Sequence, residues 1–252
     1  MKFIKLYESF EDINSICKKY NINNYTINKD GTVDVDGYVN IINKNLTTLP
    51  LKFGKVSGDF HCSVNKLTTL VGGPQSVGGN FSCMDNNLTT LEGCPQSIGG
   101  FFNCKSNELI SLKGGPQSVG SNFNCGGNKL ISLEFCPQSV GIFNCSNNQL
   151  ISLKGGPQSV GGNFYFSKNK LSDLYGFPEF FDNNIYYDFN PVTEILNLFN
   201  TDRLGKVVDL LNEYDAIQQD GKLVILDRLE EVFYTLGMEV PEEISLENYE
   251  VY

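Results

Sequence analysis

A spacing of 21 residues, held through most of the chain, decides what this sequence can fold into. The pattern Phe81-x-Cys83-x-x-Asn86-x-Leu88-x-x-Leu91 returns at that interval. Its first column continues at Phe60, Phe102, Phe123, Phe143 and Phe164, and its second reads Cys62, Cys83, Cys104, Cys125 and Cys145, then Phe166. Asparagine recurs at Asn65, Asn86, Asn107, Asn128, Asn148, Asn169 and Asn190, while leucine columns run from Leu46 to Leu171 and from Leu49 to Leu174. Steps in the first leucine column are 21, 21, 21, 21, 20 and 21, the short one being a residue missing in Val140-Gly141-Ile142-Phe143. Self-similarity at such a period marks a solenoid, in which each repeat is one layer of a continuous core.

Within a repeat, the alternation Phe-x-Cys reads as a short strand whose Phe and Cys point inward. Identical offsets in successive turns pair these strands in parallel and in register. The asparagine falls where the chain leaves the sheet, and its amide can satisfy turn backbone groups as a stacked ladder. The return segment, for example Gly72-Gly73-Pro74-Gln75-Ser76-Val77-Gly78-Gly79, is too rich in Gly and Pro for a helix. The back of the solenoid is therefore expected to be extended or polyproline-like.

The fold class expected is a β-rich solenoid in three parts. Residues 1–37 read as an α/β N-terminal cap: Phe10, Ile13, Ile16, Cys17 and Tyr20 recur at helical spacing behind Ser9 and Asp12, an imperfect capping box, and a hairpin follows through Tyr25–Ile27 and Thr32–Val35. Residues 38–190 are the solenoid, with degenerate first and last turns (Val35, Val39, Ile41, Leu46 and Leu49; Phe181, Ile185, Tyr187, Asn190, Val192 and Ile195) that bring the count to eight. At about 4.8 Å per turn the stack is close to 40 Å long. Residues 191–252 form an acidic helical C-terminal cap and tail, with helices expected around Val192–Phe199, Leu204–Tyr214 and Leu223–Leu236, a break at Asp220-Gly221, a C-cap at Gly237 and a loosely attached end.

F-x-C-x-x-N-x-L-x-x-L resembles the leucine-rich-repeat consensus L-x-L-x-x-N-x-L-x-x-L, with Phe and Cys in place of two leucines. Repeats this short resemble those of bacterial effector proteins of the YopM and IpaH types. The phrases GGPQSVGGNF and NNLTTLEGCPQS resemble uncharacterised leucine-rich-repeat proteins of bacteriophages and bacteria. The resemblance covers about residues 35–195 and implies a curved stack with the strands on a concave side that commonly binds proteins.

Charge narrows the partners. From Pro191 onward there are 14 acidic and 4 basic residues, which accounts for the whole net charge of −10. Arg203 and Arg228 are the only arginines, so the basic stripe of a nucleic-acid binder is missing. No apolar run is long enough to span a membrane, and the start lacks the uninterrupted apolar stretch of a signal peptide. A cytoplasmic protein is expected, in the host cytoplasm if phage-encoded, with a virion as the alternative. A monomer is the default oligomeric state.

No catalytic constellation is legible. His61, the single histidine, sits at an outward strand position while Cys62 points inward, so the two cannot form a nucleophile pair. The cysteine column presents thiols in a line, whereas zinc needs four converging ligands. Five of the eight cysteines stand in one core column, which favours reduced, buried thiols over disulfides or a metal site. Neither enzyme activity nor a cofactor is expected.

What remains is the outward face of the sheet. The column between Phe and Cys reads His61, Ser82, Asn103, Asn124, Asn144, Tyr165 and Tyr186. The candidate partner-binding residues are Tyr165, Tyr186, Phe189 and Lys168 at its C-terminal end, with Asn144, Asn124, Asn103 and Phe101 further along. Tyrosine clusters on a rigid sheet are typical interaction hot spots, although the helical cap could equally cover them. The reading is a non-enzymatic scaffold that binds a protein partner through the concave sheet. Alternatives are a phage-particle component or host-surface adhesin taking a glycan or receptor, and an effector or inhibitor acting through the acidic C-terminal region.

Overall fold

A computed structural model describes residues 12–181, 184–199, 203–218 and 221–252. Residues 12–19 form helix α1, so the helical half of the N-terminal cap is present, whereas Ser9 and Phe10 lie outside the described residues. The predicted hairpin follows as β1 (Tyr25–Ile27) and β2 (Val33–Val35), antiparallel with Ile27 opposite Val33. Strand β3 (Val39–Asn40) opens the repeat proper.

Each following turn contributes two short strands, one to each side of the stack. They are β4 (Phe53–Val56) and β5 (Phe60–His61), β6 (Ser76–Val77) and β7 (Phe81–Ser82), β8 (Ser97–Ile98) and β9 (Phe102–Asn103), β10 (Ser118–Val119) and β11 (Phe123–Asn124). The series continues with β12 (Ser139–Val140) and β13 (Phe143–Asn144), β14 (Ser159–Val160) and β15 (Phe164–Tyr165), β16 (Phe180–Phe181) and β17 (Ile185–Tyr186). The odd-numbered strands from β3 to β17 form one eight-stranded parallel sheet in strict sequence order. Its register is the repeat itself: Phe60 pairs with Phe81, Phe81 with Phe102, and Phe164 with Ile185. The expected parallel-sheet solenoid is therefore the fold.

The back is extended, as expected, but it is also hydrogen-bonded. The Ser-Val strands form a second parallel sheet, in which Ser76 pairs with Ser97 and Val77 with Ile98. Hairpin strand β2 joins it through β4, so the N-terminal cap covers the first turn by continuing this sheet. The sheet is interrupted once, between β10 and β12, at the turn that lacks a residue. There Gly141 donates to the Ser121 carbonyl, whereas in a full-length turn two successive glycines, Gly99 and Gly100, donate to Val77 and Gly79. One residue fewer leaves one fewer position from which to pair.

Between the two sheets, Phe60, Phe81, Phe102, Phe123, Phe143 and Phe164 are buried, with neighbouring ring centroids 5.1–5.9 Å apart. The cysteine column and, apart from the half-buried Leu46, the leucine columns are buried beside them, and all eight cysteines are free and buried. Each of Asn86, Asn107 and Asn128 reaches back with its amide to the Cys carbonyl of the preceding turn and accepts the N–H of that turn's leucine. The asparagine ladder thus stitches consecutive turns to one another.

After Pro191 the chain forms α2 (Thr193–Leu196), α3 (Leu204–Glu213), β18 (Ile217–Gln218), β19 (Leu223–Val224), α4 (Leu226–Leu236) and β20 (Glu250–Val251). Two expectations change here. Leu223 and Val224 pair antiparallel with β18 instead of opening a helix, because each short apolar run can bury itself in a small sheet. The end of the chain is packed, since β20 adds to that sheet, Tyr249 is buried and its hydroxyl donates to the Ser172 carbonyl at 3.0 Å. Gly237 is the left-handed C-cap of α4, at φ 69°, and Asp220 lies outside the described residues. Among the described residues, no helix is long and apolar enough to cross a membrane.

Candidate functional site

In-register parallel pairing lays side chains of successive turns one strand spacing apart, about 4.8 Å. Where two turns carry tyrosine at the outward position the rings must meet. Tyr165 and Tyr186 are register partners, with ring centroids 4.4 Å apart and planes 8° from parallel. The Tyr165 hydroxyl accepts from the Asn163 amide at 3.0 Å, which fixes that ring. Tyr186 is 40% exposed, so α2 and the helices after it leave the pair open on one side.

Lys168 and Phe189 occupy a second shared column, immediately before the ladder asparagine. Every residue there, Val64, Asp85, Ser106, Gly127, Asn147, Lys168 and Phe189, has a left-handed backbone with φ between 53° and 64°. The left-handed turn aims the side chain away from the core, which leaves Phe189 74% exposed. The Lys168 ammonium lies 5.6 Å from its ring centroid, within cation–π range. The last two turns therefore present two stacked pairs, Tyr165 with Tyr186 and Lys168 with Phe189.

The other candidates are divided. Asn144 is the register partner of Tyr165 and adjoins the cluster. Asn124 and Asn103 continue the column one and two turns further off. In all three the side-chain carbonyl accepts the N–H two residues on, from Lys105, Gly126 and Ser146, at 3.0–3.1 Å. These asparagines shape the exit of their own strands; the Asn103 amide also donates to Met84 Sδ at 3.4 Å, and what Asn124 and Asn144 offer a ligand is their amide hydrogens. Phe101 stands on another column, half-buried, its N–H bound to Asn80 Oδ1, and three turns from Tyr165, about 14 Å. It does not join the cluster.

His61 is held by Asp59, Nε2 to Oδ2 at 3.5 Å, on the outer face, while Cys62 is buried on the other side of the strand. Burial pushes the thiols up, Cys62 and Cys125 to about 12, so the column carries no thiolate nucleophile at neutral pH. Among the described residues, no group of three or more His, Cys, Asp or Glu is placed to hold a metal ion.

Three features escape the repeat pattern. The left-handed column could not be read because its residue types vary from Val64 to Phe189. A Ser/Thr column, Thr69, Thr90, Ser111, Ser132 and Ser152, accepts the N–H two residues on at 3.1–3.2 Å; its signal was the hydroxyl residue recurring before the second leucine. Isoleucines recur at the solenoid edge, outside both sheets. In comparisons with known proteins, no family model, no curated protein and no solved structure matches this chain.

Proposed function

We propose that the protein is a non-enzymatic binding scaffold that takes a protein partner on the outward face of its eight-stranded sheet, at the C-terminal end. The observation that carries this reading is the Tyr165–Tyr186 stack, open on its Tyr186 side, with Phe189 and Lys168 beside it. Tyrosine presents a large contact area at low entropic cost, and rings already stacked on a rigid sheet have little freedom left to lose on binding. The F-x-C-x-x-N-x-L-x-x-L resemblance to leucine-rich repeats supports the same use of the strand face. A cytoplasmic setting fits the reduced thiols.

The test is a Tyr186→Ala, Phe189→Ala double variant. It should lose the partners that the wild-type chain retains on affinity purification, with its melting temperature within about 2 °C of wild type because both side chains are exposed. Unchanged retention would sink the proposal, and a large loss of stability would assign the rings to the fold instead.

A second reading is favoured by one feature. Asn124 and Asn144 present amide donors along the same face that ends in the tyrosine pair, and donors beside aromatic rings suit a glycan. Binding of the wild-type chain to a glycan array, lost in the same double variant, would replace the protein partner by a sugar.

A further inference from the structure

One edge of the solenoid carries a surface separate from the sheet face. The residue after the first core leucine reads Thr68, Thr89, Ile110, Ile131, Ile151 and Ser172 in successive turns, and the three isoleucines are 62%, 64% and 60% exposed. The residue after the second leucine reads Val71, Glu92, Lys113, Glu134, Lys154 and Tyr175, all exposed. Ile151, Lys154 and Tyr175 line one groove of about 600 Å³, so the two columns share a surface. Among the described residues the ion pairs are His61–Asp59, Lys129–Glu108 and Arg228–Asp215, and none of the four column charges takes part.

The next column is glycine with positive φ in every turn from Gly72 to Gly176 except one. Phe135 takes that place at φ 71°, 58% exposed. A non-glycine residue there costs about 1–2 kcal/mol, and in the single chain this ring gains little burial in return. Strain of this kind, at an exposed aromatic residue, points to a use.

We propose that this edge is where two copies of the chain pair, with their stacks antiparallel. The order of the residues selects that partner. A two-fold axis lying in the interface, perpendicular to the stack and level with the gap between the Ile110 and Ile131 turns, lays each column on itself in reverse. Glu92 then faces Lys154 of the second copy, Lys113 faces Glu134, and Val71 faces Tyr175. In the isoleucine column, Ile110 meets Ile131 and Thr89 meets Ile151. In the third column Phe135 faces Gly114, the position where the second copy has no side chain to obstruct it. The parallel alternative, with its two-fold axis running along the charged column, sets Glu on Glu and Lys on Lys, which like-charge repulsion opposes. One like-charge contact remains in the antiparallel arrangement, Lys66 facing Lys170 at the outer ends of the column before the first leucine. That same column places Glu108 opposite Lys129 near its centre.

The test is sedimentation equilibrium of the full chain, with charge-swap variants. Wild type should dimerise, more weakly at high salt. Glu134→Lys should raise the dissociation constant at least about tenfold by placing two lysines opposite each other. The double variant Lys113→Glu, Glu134→Lys restores opposite charges and should restore the dimer. Both substitutions are at exposed positions, so the fold is retained. Register is read by zero-length carbodiimide coupling: Glu92 and Lys154 are three turns apart in one chain, about 14 Å, so a direct Glu92–Lys154 crosslink forms only between copies. A wild-type monomer at about 100 µM, a dimer indifferent to Glu134→Lys, or a dimer without the Glu92–Lys154 crosslink would each overturn the proposal.

Discussion

Asn86 binds the turn before its own: its amide donates to the Cys62 carbonyl at 3.1 Å, and its side-chain carbonyl accepts the Leu67 N–H at 3.0 Å. The same amide also donates to Cys83 of its own turn at 3.0 Å. A buried polar side chain here does what a backbone ladder cannot, because at this corner the chain has left the sheet and its N–H and C=O groups would otherwise be buried unpaired.

Asn107→Ala tests the ladder at its middle. The substitution leaves the Leu88 N–H with no acceptor and strips one donor each from the Cys83 and Cys104 carbonyls. Orphaning one buried donor and weakening two acceptors should cost roughly 3 kcal/mol. Asn65→Ala, at the half-buried start of the ladder, should cost less, since water can reach the groups it abandons. Urea unfolding of the two variants gives both values, and equal costs would mean that burial does not set the strength of the ladder.

The cysteine column makes an alkaline prediction. Cys62 and Cys125 titrate at about 12 in the folded protein, and the other column thiols are also raised, in each case chiefly by burial. Unfolded thiols ionise near 8.5. The folded pKa is the higher one, so the contribution is fully present below about pH 8.5 and is lost as pH rises toward 12. Stability should therefore fall across that window, less steeply in a Cys104→Ala variant. At pH 8 a chromogenic disulfide reagent should find almost no thiol in the native protein and all eight after denaturation. Rapid modification of the native chain would contradict the packing.

The left-handed column predicts a gain. Val64, a β-branched residue, holds φ 55° in a column where Gly127 is the residue type best suited to a left-handed backbone. Val64→Gly should raise stability by about 0.5–1 kcal/mol, relief of strain outweighing the extra freedom of the unfolded chain. Gly127→Val should lower it by a similar amount or more, because its φ is 64°. Thermal melts of the two variants moving in the same direction would refute this account.

The parts of the molecule that were legible share one property: they repeat. Phe81, Cys83, Asn86, Leu88 and Leu91 announce a core column each time the period returns, and the structure places all five inside. The second sheet was hidden because its Ser-Val strands are two residues long and flanked by Gly and Pro, so Ser76-Val77 looks like loop and is strand only through its neighbours. Leu223-Val224 was misread for the opposite reason: apolar spacing continuous with α4 masks a strand paired to β18. At the candidate site, the Tyr165–Tyr186 stack follows from register alone. The exposure of Phe189 does not, because it depends on a left-handed turn that its residue type argues against.

The turn that lacks a residue should be the weakest seam of the stack. On the strand face Phe123 and Phe143 still pair in register, so the missing residue is absorbed entirely between Val140 and Phe143. The consequence appears on the other side, where the Ser-Val sheet breaks between Ser118–Val119 and Ser139–Val140, and Val119 is less buried than its counterparts Val77 and Ile98. Local opening follows the backbone hydrogen bonds and apolar contacts that hold a region. Amide hydrogens around Ser139 and Val140 should exchange faster than those of Ser97 and Ile98, where pairing is continuous on both sides. Inserting one glycine between Gly141 and Ile142 restores the full-length turn and should slow exchange there. If exchange at this seam matches the rest of the sheet, or the insertion leaves it unchanged, the interruption has no energetic weight.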